Sequence, residues 1–430
     1  MKRTITYFLP NIKSWIIESC PDTRRQASTE YGIEEIVLSA VFMYVCKSGS
    51  RNSLNEDRKD SVFKNNFRCL FGIRLPHMDT VNKVMEKLPP DALENLRNKI
   101  IRHLLKKRIW HKQRLKGKYF IVSIDGTGIF KFEEEPYAGC PYTTSKKGKK
   151  TYSQSVLEAK IITGNGFSVS LCTEWIINED GETKQDCEYK ASLRLMTKLK
   201  KSFPRLPKII VLDGLYAKEP IMKMIQDYGW HYIIVWKDKT MYRQQDKVKD
   251  LREDGEIYQF DKTKYHNKQK KTICEYEYSR EGIKYKSQKI WYAKLLETRV
   301  DIESQKIEET KFIFMSSLEI ENNEDAYEIV KGGRLRWKIE NEGFNIQKNN
   351  GYGLHHKMNR NNLTAIKNYY ICLQIAHLID QLIQKAKNNN PTKIWNTIKK
   401  MFEYFTAFLK IADEIIIEPP PIGRKYNYRY

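Results

Sequence analysis

The chain contains 430 residues, of which 40% are hydrophobic, so it is long and apolar enough to bury a sizeable core. It has no run of about 20 uncharged apolar residues and no apolar signal segment at its N-terminus, so we expect a cytoplasmic protein without a membrane partner. Its eight cysteines include no CxxC pair, which argues against a disulfide framework and against a structural zinc site.

The second feature is charge: 76 Lys and Arg against 53 Asp and Glu give a formal net charge of +23. Such an excess indicates a polyanionic partner, and nucleic acid is the commonest one in a cell. Clustering weakens the alternative that the lysines only keep the protein in solution. Arg102–Lys118 contains no acid, and a second basic cluster follows at 146–150. The candidate DNA contacts in these runs are Lys106, Lys107, Arg108, Lys112, Lys146, Lys147, Lys149 and Lys150.

The N-terminal part of the chain is predicted to be helical. Apolar residues recur at helical spacing over Ile33–Cys46 and Ala92–Leu105. Residues 89–91, Pro-Pro-Asp, are typical of a helix start, where proline fits the first turn and Asp can cap it. Asp79 is predicted in the same way to cap a helix over Val81–Leu88.

From Lys118 onwards the sequence is typical of strands alternating with helices. The predicted elements are strands over Tyr119–Ile124, Gln154–Thr163 and Phe167–Ile177, a helix over Asp186–Ser202, a strand over Lys208–Leu212, a helix over Ala217–Tyr228 and a strand over His231–Trp236. A Gly-Asn-Gly turn joins the second and third strands. This order predicts a mixed α/β sheet with helices packed on it.

Residues 238–318 differ, because charges alternate there with Tyr, Ile and Trp at a period of about two. That pattern predicts antiparallel strands with one wet face, inserted into the mixed domain. Trp291 and Tyr292 within it could stack on an unpaired base or pack between strands. After a strand over Phe312–Ser316, the predicted helices are Asp325–Lys331, Arg334–Lys348, Asn362–Gln384 and Thr392–Ala412.

Two carboxylates, Asp125 and Asp213, are predicted at the carboxyl ends of buried strands, and glycine follows each of them. Ligands gather at such strand ends, and glycine lets the backbone turn away sharply. Two neighbouring carboxylates suit Mg²⁺, which prefers oxygen ligands and acts on phosphate substrates. Asp-Gly is also a common turn dipeptide, so a purely structural role remains an alternative.

A third acid is needed to complete such a site, and the segment after Gly333 contains two candidates. At about 100° per residue, Arg336, Glu340 and Gln347 share one face of the predicted helix. Glu342 falls instead among apolar residues, where its burial would be costly unless it were paired. Periodicity therefore leaves both glutamates open.

Three motifs together resemble DDE transposases of the insertion-sequence-four type. They are DGTG at 125–128, LDGLYA at 212–217 and RWKIENEGFNIQKNNGYGLHH at 336–356. The resemblance implies a catalytic core of ribonuclease H-like fold that is interrupted by a β-strand insertion. The predicted domains are a helical DNA-binding or accessory domain at 1–118, the core at 119–237 and 319–415, the insertion at 238–318 and a basic tail at 416–430.

The family signature around the third acid is Tyr, two residues, Arg, three residues, Glu, six residues and Lys. Arg336 and Glu340 match its arginine and glutamate. Gly333 stands at the tyrosine position and Gln347 at the lysine position, with Lys348 one residue later. The resemblance implies that Arg336 contacts a DNA phosphate, and Lys348 is the candidate substitute for the missing lysine.

The resemblance also implies the activity: Mg²⁺- or Mn²⁺-dependent cleavage at transposon ends and strand transfer into target DNA. Asp125, Asp213 and Glu340 are the implied catalytic and metal-binding residues. The implied partner is double-stranded DNA, as terminal inverted repeats and as target, bound by a homodimer in a bacterial or archaeal nucleoid. A catalytically silent DNA-binding relic and a domesticated metal-dependent nuclease remain alternatives, because Gly333 and Gln347 depart from the signature.

Overall fold

The computed structural model describes residues 2–25, 27, 29–177, 184–236, 241–267, 270–385 and 398–411. The predicted basic tail at 416–430 and the start of the helix predicted over Thr392–Ala412 lie outside the described residues. Among the described residues, no helix is both long and apolar enough to cross a membrane.

The N-terminal part is helical, as predicted. Its helices are α1 (Lys2–Ser19), α2 (Ile33–Val45), α3 (Arg51–Lys59), α4 (Ser61–Phe71), α5 (Met78–Met85) and α6 (Pro90–Lys106). The predicted caps were wrong. His77 caps α5 by accepting a hydrogen bond from the Asp79 backbone N–H, so Asp79 lies inside the first turn. Pro89 precedes the first residue of α6 without a side-chain cap, and Asp91 also lies in the first turn.

The described strands form one eleven-stranded sheet. They are β1 (Phe120–Phe132), β2 (Tyr142–Thr144), β3 (Lys150–Ile162), β4 (Ser168–Trp175), β5 (Lys208–Leu212), β6 (His231–Val235), β7 (Ile257–Tyr265), β8 (Lys270–Ser279), β9 (Ile283–Tyr285), β10 (Gln288–Asp301) and β11 (Lys306–Ser316). The order is β2-β3-β1-β5-β6-β11-β10-β8-β7, with β4 on β3 and β9 on β10. The predicted mixed α/β architecture is therefore confirmed.

The central strands set up the site. β1 pairs in parallel with β5, and β5 in parallel with β6. On its other side β1 pairs antiparallel with β3, which pairs antiparallel with β4. The helices that connect these strands are α7 (Lys184–Ser202) and α8 (Glu219–Asp227).

The strands from β7 to β11 pair antiparallel with their neighbours, as the alternating pattern predicts. They continue the central sheet rather than forming a separate one, because β11 pairs with β6. A helix that the sequence pattern did not reveal, α9 (Tyr242–Glu253), precedes them. Four further helices follow along the chain: α10 (Asn323–Arg334), α11 (Asn345–Asn349), α12 (Leu363–Lys385) and α13 (Ile398–Ile411).

Helix α12 joins the N-terminal helices to the sheet. Nearly all of its residues are buried, and it packs against α2, α5, α6 and β4. Apolar side chains from α2, from β1 and from α12 belong to the same hydrophobic core. The helical N-terminal part and the sheet thus share one core.

Candidate active site

Asp125 and Asp213 lie side by side, two residues beyond the last pair of the parallel β1–β5 register. The β1–β5 register matches Phe120 with Lys208 and Ser123 with Val211. Continuing it by two residues brings Asp213 opposite Asp125, on strands about 4.8 Å apart. Residues in register on parallel strands point to the same face, so the two carboxylates face the same side of the sheet.

The prediction that a turn follows Asp125 was wrong. β1 continues to Phe132, because Asp125 pairs with Glu158 of β3 and Gly128 pairs with Ser155. Only Asp213 is followed by a change of direction, a 3₁₀ turn over Gly214–Tyr216.

Arg336 is the cation at this edge. Its Nη1 lies 3.5 Å from Asp125 Oδ2, and its side chain is only 10% exposed. Burial raises the pKa of Asp125, and the negative charges of Glu340 and Asp213 raise it further. The Arg336 guanidinium and the hydrogen bond from the Gly126 N–H act in the opposite direction. The pKa of Asp125 therefore depends on the charges of both other predicted acids and of one buried cation.

The two candidate glutamates are separated by their surroundings. Glu340 acts on the pKa of Asp125, and its Oε1 lies 3.4 Å from Lys348 Nζ. Glu342 instead pairs with Lys338 at 3.2 Å. Glu342 Oε2 also lies 3.7 Å from the place that a Cβ would take at Gly166, in the β3–β4 turn. Of the two, Glu340 is the one whose charge reaches Asp125.

This segment is not the single regular helix predicted over Arg334–Lys348. α10 continues through Gly333 to Arg334, and a 3₁₀ turn at Leu335–Trp337 follows it. A π-helical stretch, Ile339–Phe344, then leads into α11. A π-helical turn changes the angle between successive side chains, so the phase argument that left Glu340 and Glu342 open does not apply here.

The two departures from the family signature have different surroundings. Gln347 is fully buried, and its Nε2 donates a hydrogen bond to Gln374 Oε1 at 2.9 Å, so it does not face the acids as the signature lysine would. Lys348 reaches Glu340 instead. At the tyrosine position, a Cβ on Gly333 would lie 2.5 Å from the Phe314 ring of β11, so this ring occupies the space of any side chain there.

We expect Gly333→Ala to destabilise the protein by about 1–3 kcal/mol, because the overpacking exceeds the gain in helix propensity. Urea unfolding measures it. Gly128→Ala is the matched control, since its Cβ would meet no atom closer than Ser155 Oγ at 3.8 Å. Shortening Phe314 to Leu in the Gly333→Ala background should restore part of the loss. Equal stability of Gly333→Ala and the control would contradict this packing.

Sequence reasoning missed three residues around the acids. The pKa of Tyr216 is raised by burial and then by Glu188, Asp125 and Asp213, which places this buried phenol beside the carboxylates. The Glu188 carboxylate of α7 packs against Gly126, 3.6 Å from where a Cβ would be. Lys160 is fully buried, which lowers its pKa to about 8, while Glu158 and Glu340 act in the opposite direction. The tyrosine of the LDGLYA motif was the only one of these with a sequence signal.

The carboxylates of these acids suit a divalent metal ion, although they do not lie close enough together to share one in this structure. Among the described residues, no three His, Cys, Asp or Glu side chains lie close enough to hold a metal ion. Asp125 forms an ion pair with Arg336, and Glu340 forms one with Lys348. Their oxygens are nonetheless hard ligands, and a dication would offset both the burial that raises the pKa of Asp125 and the smaller repulsion from Glu340 and Asp213. Asp125, Asp213 and Glu340 thus fit Mg²⁺ or Mn²⁺ by chemistry.

The same burial and repulsion predict that metal-free Asp125→Asn is more stable than the wild type at pH 7, by about 1–3 °C in thermal midpoint. Because folding raises the pKa of Asp125, the charged form costs stability at neutral pH. The difference should disappear as the pH falls below the ordinary Asp pKa, where the carboxyl is protonated in either state. Melting curves from pH 3 to pH 8 test this, with exposed Asp261→Asn as the control. A pH-independent difference would contradict a raised pKa of Asp125 in the folded protein.

The two basic runs lie near opposite ends of strand β1. Lys106, Lys107, Arg108 and Lys112 are exposed before β1, and Gln113 Oε1 lies 3.4 Å from the place that a Cβ would take at Gly164, in the β3–β4 turn. Asp125 and Asp213 lie beyond the other end of the β1–β5 pairing. The exposed lysines Lys146, Lys147, Lys149 and Lys150 lie at the β2–β3 connection, where β3 pairs with the far end of β1, on the side of the acids.

Trp291 and Tyr292 pack within the β insertion. Both are buried, Trp291 Nε1 donates to the Arg280 carbonyl at 3.2 Å, and the Tyr292 hydroxyl donates to Glu277 at 2.8 Å. Base stacking by these two residues would require the strands to open. Trp337, next to Arg336, is the exposed tryptophan near the acids.

The sequence model of the family described as the transposase DDE domain matches residues 117–373. The match begins just before β1 and ends within α12, so it includes Asp125, Asp213, Glu340 and the β insertion. No curated protein matches the chain. Because the matched residues are more than half of the 430, the chain belongs to the transposase DDE domain family.

Proposed function

We propose that this transposase catalyses metal-dependent cleavage at the ends of its mobile element and strand transfer into target DNA. The observation that carries the proposal is the register of Asp125 and Asp213 on adjacent parallel strands, with the Arg336 guanidinium beside Asp125 and the charge of Glu340 acting on it. Family membership supports a transposase in general. The geometry adds the acids and the cation that in-line attack on phosphorus needs.

A ribonuclease H-like core and the insertion-sequence-four type are parts of the same proposal. The order β4-β3-β1-β5-β6, with three antiparallel strands followed by two parallel ones, supports such a core. The β insertion between Asp213 and Glu340 and the Arg336–Glu340 spacing support the type. The proposed boundaries remain those predicted from the sequence, with the insertion as an extension of the core sheet.

In the proposed mechanism, Asp125, Asp213 and Glu340 hold Mg²⁺ or Mn²⁺. When bound, the metal supplies charge neutralisation at the phosphate and lowers the pKa of the attacking oxygen. Arg336, whose Nη1 lies 3.5 Å from Asp125 Oδ2, would exchange that carboxylate for a phosphate oxygen. Lys348 would release Glu340 and turn to the same DNA strand. These two exchanges would bring the acids together.

The proposed partner is double-stranded DNA, bound by a homodimer that joins the two ends. Lys146, Lys147, Lys149 and Lys150 are exposed on the side of the acids and would contact the duplex near the cleavage point. Lys106, Lys107, Arg108 and Lys112 are exposed at the opposite edge and would contact a more distant DNA segment.

Labelled DNA containing the element's own ends, incubated with purified protein in Mg²⁺ or Mn²⁺, tests the proposed function. We expect nicks at the element boundary and joined products when target DNA is present. Binding without nicks would favour the catalytically silent relic. Nicks without joining would favour the domesticated nuclease. Both alternatives are tested because Gly333 and Gln347 depart from the family signature.

A further inference from the structure

A polar groove of about 720 Å³ lies between the N-terminal helices and the loop that follows α11. We call it the loop groove. One wall contains Arg51, Asn82 and Glu86 from the N-terminal helices, and the other is formed by residues 356–362. Nothing in the proposed mechanism so far uses this groove.

The lining of the loop groove is cationic. It contains Arg51, Lys357 and Arg360, with His356 between them, and Glu86 is its one acid. Glu86 Oε1 already accepts hydrogen bonds from Asn82 Nδ2 at 2.7 Å and from Asn359 Nδ2 at 2.9 Å.

Arg51 lies 3.2 Å from Asp79, whose side chain is 63% exposed, so this exposed ion pair offsets its charge only weakly. Burial lowers the pKa of His356, and the nearby positive charges of Arg360 and Arg51 lower it further. The two guanidinium groups therefore lie close enough to His356 to disfavour its protonation, and an anion in the groove would act in the opposite direction.

The groove is connected to the catalytic strand. His355 Nδ1 lies 2.8 Å from the Ile129 carbonyl oxygen of β1, and Lys357 Nζ lies 4.4 Å from the centre of the Phe132 ring. Ile129 follows Asp125 by four residues on the same strand, which is about 13 Å at 3.3 Å per residue. That distance corresponds to about four nucleotides at 3.4 Å per step along one strand. The segment that forms one wall of the loop groove thus contacts β1 about four nucleotide steps from Asp125.

We propose that the loop groove binds the phosphodiester backbone of the DNA duplex on which the acids act, a few nucleotides from the reacting phosphate. The cations match phosphate charge, and the amides of Asn52, Asn361 and Asn362 add polar groups that suit phosphate or base edges. The polar lining does not fit an apolar peptide or a lipid chain. This inference rests on the proposed function, since it takes DNA to be the substrate.

The test compares duplex DNA binding of wild type, Lys357→Gln/Arg360→Gln and a matched control at several salt concentrations. The control, Arg243→Gln/Lys249→Gln, removes two exposed cations from α9, which contributes no residue to the lining of the groove. Each lost phosphate contact should reduce the slope of log affinity against log salt by about 0.9. We expect the groove variant to lose about 1–2 units of slope, the control to lose none, and Arg360→Lys to retain the wild-type slope. A groove variant with the wild-type slope would overturn the inference.

A second arm distinguishes DNA from free phosphate. Thermal unfolding is followed with increasing inorganic phosphate at constant ionic strength. Phosphate stabilisation that is lost in the groove variant, with an unchanged DNA slope, would identify a free-phosphate site and overturn the DNA assignment. Failure of the proposed function is seen separately, as absence of nicking by the wild type. A wild type that nicks DNA, with a groove variant of unchanged slope, would overturn the groove alone.

Discussion

Asp213→Asn should reduce DNA nicking at the element ends by at least about 10³-fold while leaving DNA affinity within about twofold. The amide keeps the shape of the carboxyl group but loses the charge that would hold a divalent ion. DNA affinity depends on cations that the substitution does not touch, such as the exposed lysines at 146–150. Single-turnover nicking and equilibrium binding on the same labelled DNA measure the two quantities.

The matched control for this variant is Asp227→Asn, the same chemical change at an exposed position at the end of α8. It should nick at the wild-type rate. Equal nicking by Asp213→Asn and the wild type would mean that another group holds the metal. Loss of DNA binding together with nicking would instead indicate that Asp213 maintains the fold.

The largest effect on stability is expected at Lys47, in the loop after α2. Its Nζ bonds to Asp380 of α12, and the two side chains are 3% and 0% exposed. The Tyr352 hydroxyl also donates to Asp380 Oδ2 at 2.6 Å. Burial lowers the pKa of Lys47 and raises that of Asp380, and each charge shifts the pKa of the other back in the opposite direction.

Lys47→Met should lower the free energy of unfolding by about 3–5 kcal/mol, because it leaves the Asp380 carboxylate buried without its counter-charge. The double variant Lys47→Met/Asp380→Leu should lose less, since no unpaired charge remains. Lys59→Met is the control, because Lys59 pairs with Glu56 on the surface with 73% and 67% of the two side chains exposed. Urea unfolding of the four proteins gives the comparison. A double variant as unstable as Lys47→Met would show that packing, not charge, carries the effect.

The local sequence pattern was sufficient to predict the bounds of segments that are buried in a regular way. The strand predicted over Lys208–Leu212 matches β5 at both ends, because five consecutive buried apolar or long side chains are bounded by Pro and Asp-Gly. The helix predicted over Ile33–Cys46 differs from α2 by one residue. In these segments, propensity, periodicity and end signals agree.

Prediction failed where partners distant in sequence decide the local structure. The DGTG stretch is a typical turn sequence, yet it stays extended because β3 pairs along it. Helix α9 has mostly polar residues and only Val248 and Leu251 buried, so its apolar period is weak.

The candidate site shows the same limit. The position of Asp125 and Asp213 on neighbouring strands follows from the sequence pattern, whereas periodicity left Glu340 and Glu342 open and the resemblance alone favoured Glu340. The segment that contains both glutamates is π-helical, a geometry that no periodicity rule contains. The loop groove was missed because Arg51 and Arg360 meet only in the folded chain.

The central claim is that Asp125, Asp213 and Glu340 share a divalent metal ion when DNA is bound. Anomalous scattering from Mn²⁺ in crystals of the complex with element-end DNA tests it most directly. We predict a peak about 2.1 Å from carboxylate oxygens of Asp125 and Asp213, with Glu340 released from Lys348 and Arg336 on a phosphate. A Mn²⁺ peak held by Glu342 or by other residues, with Glu340 still paired to Lys348, would contradict the account.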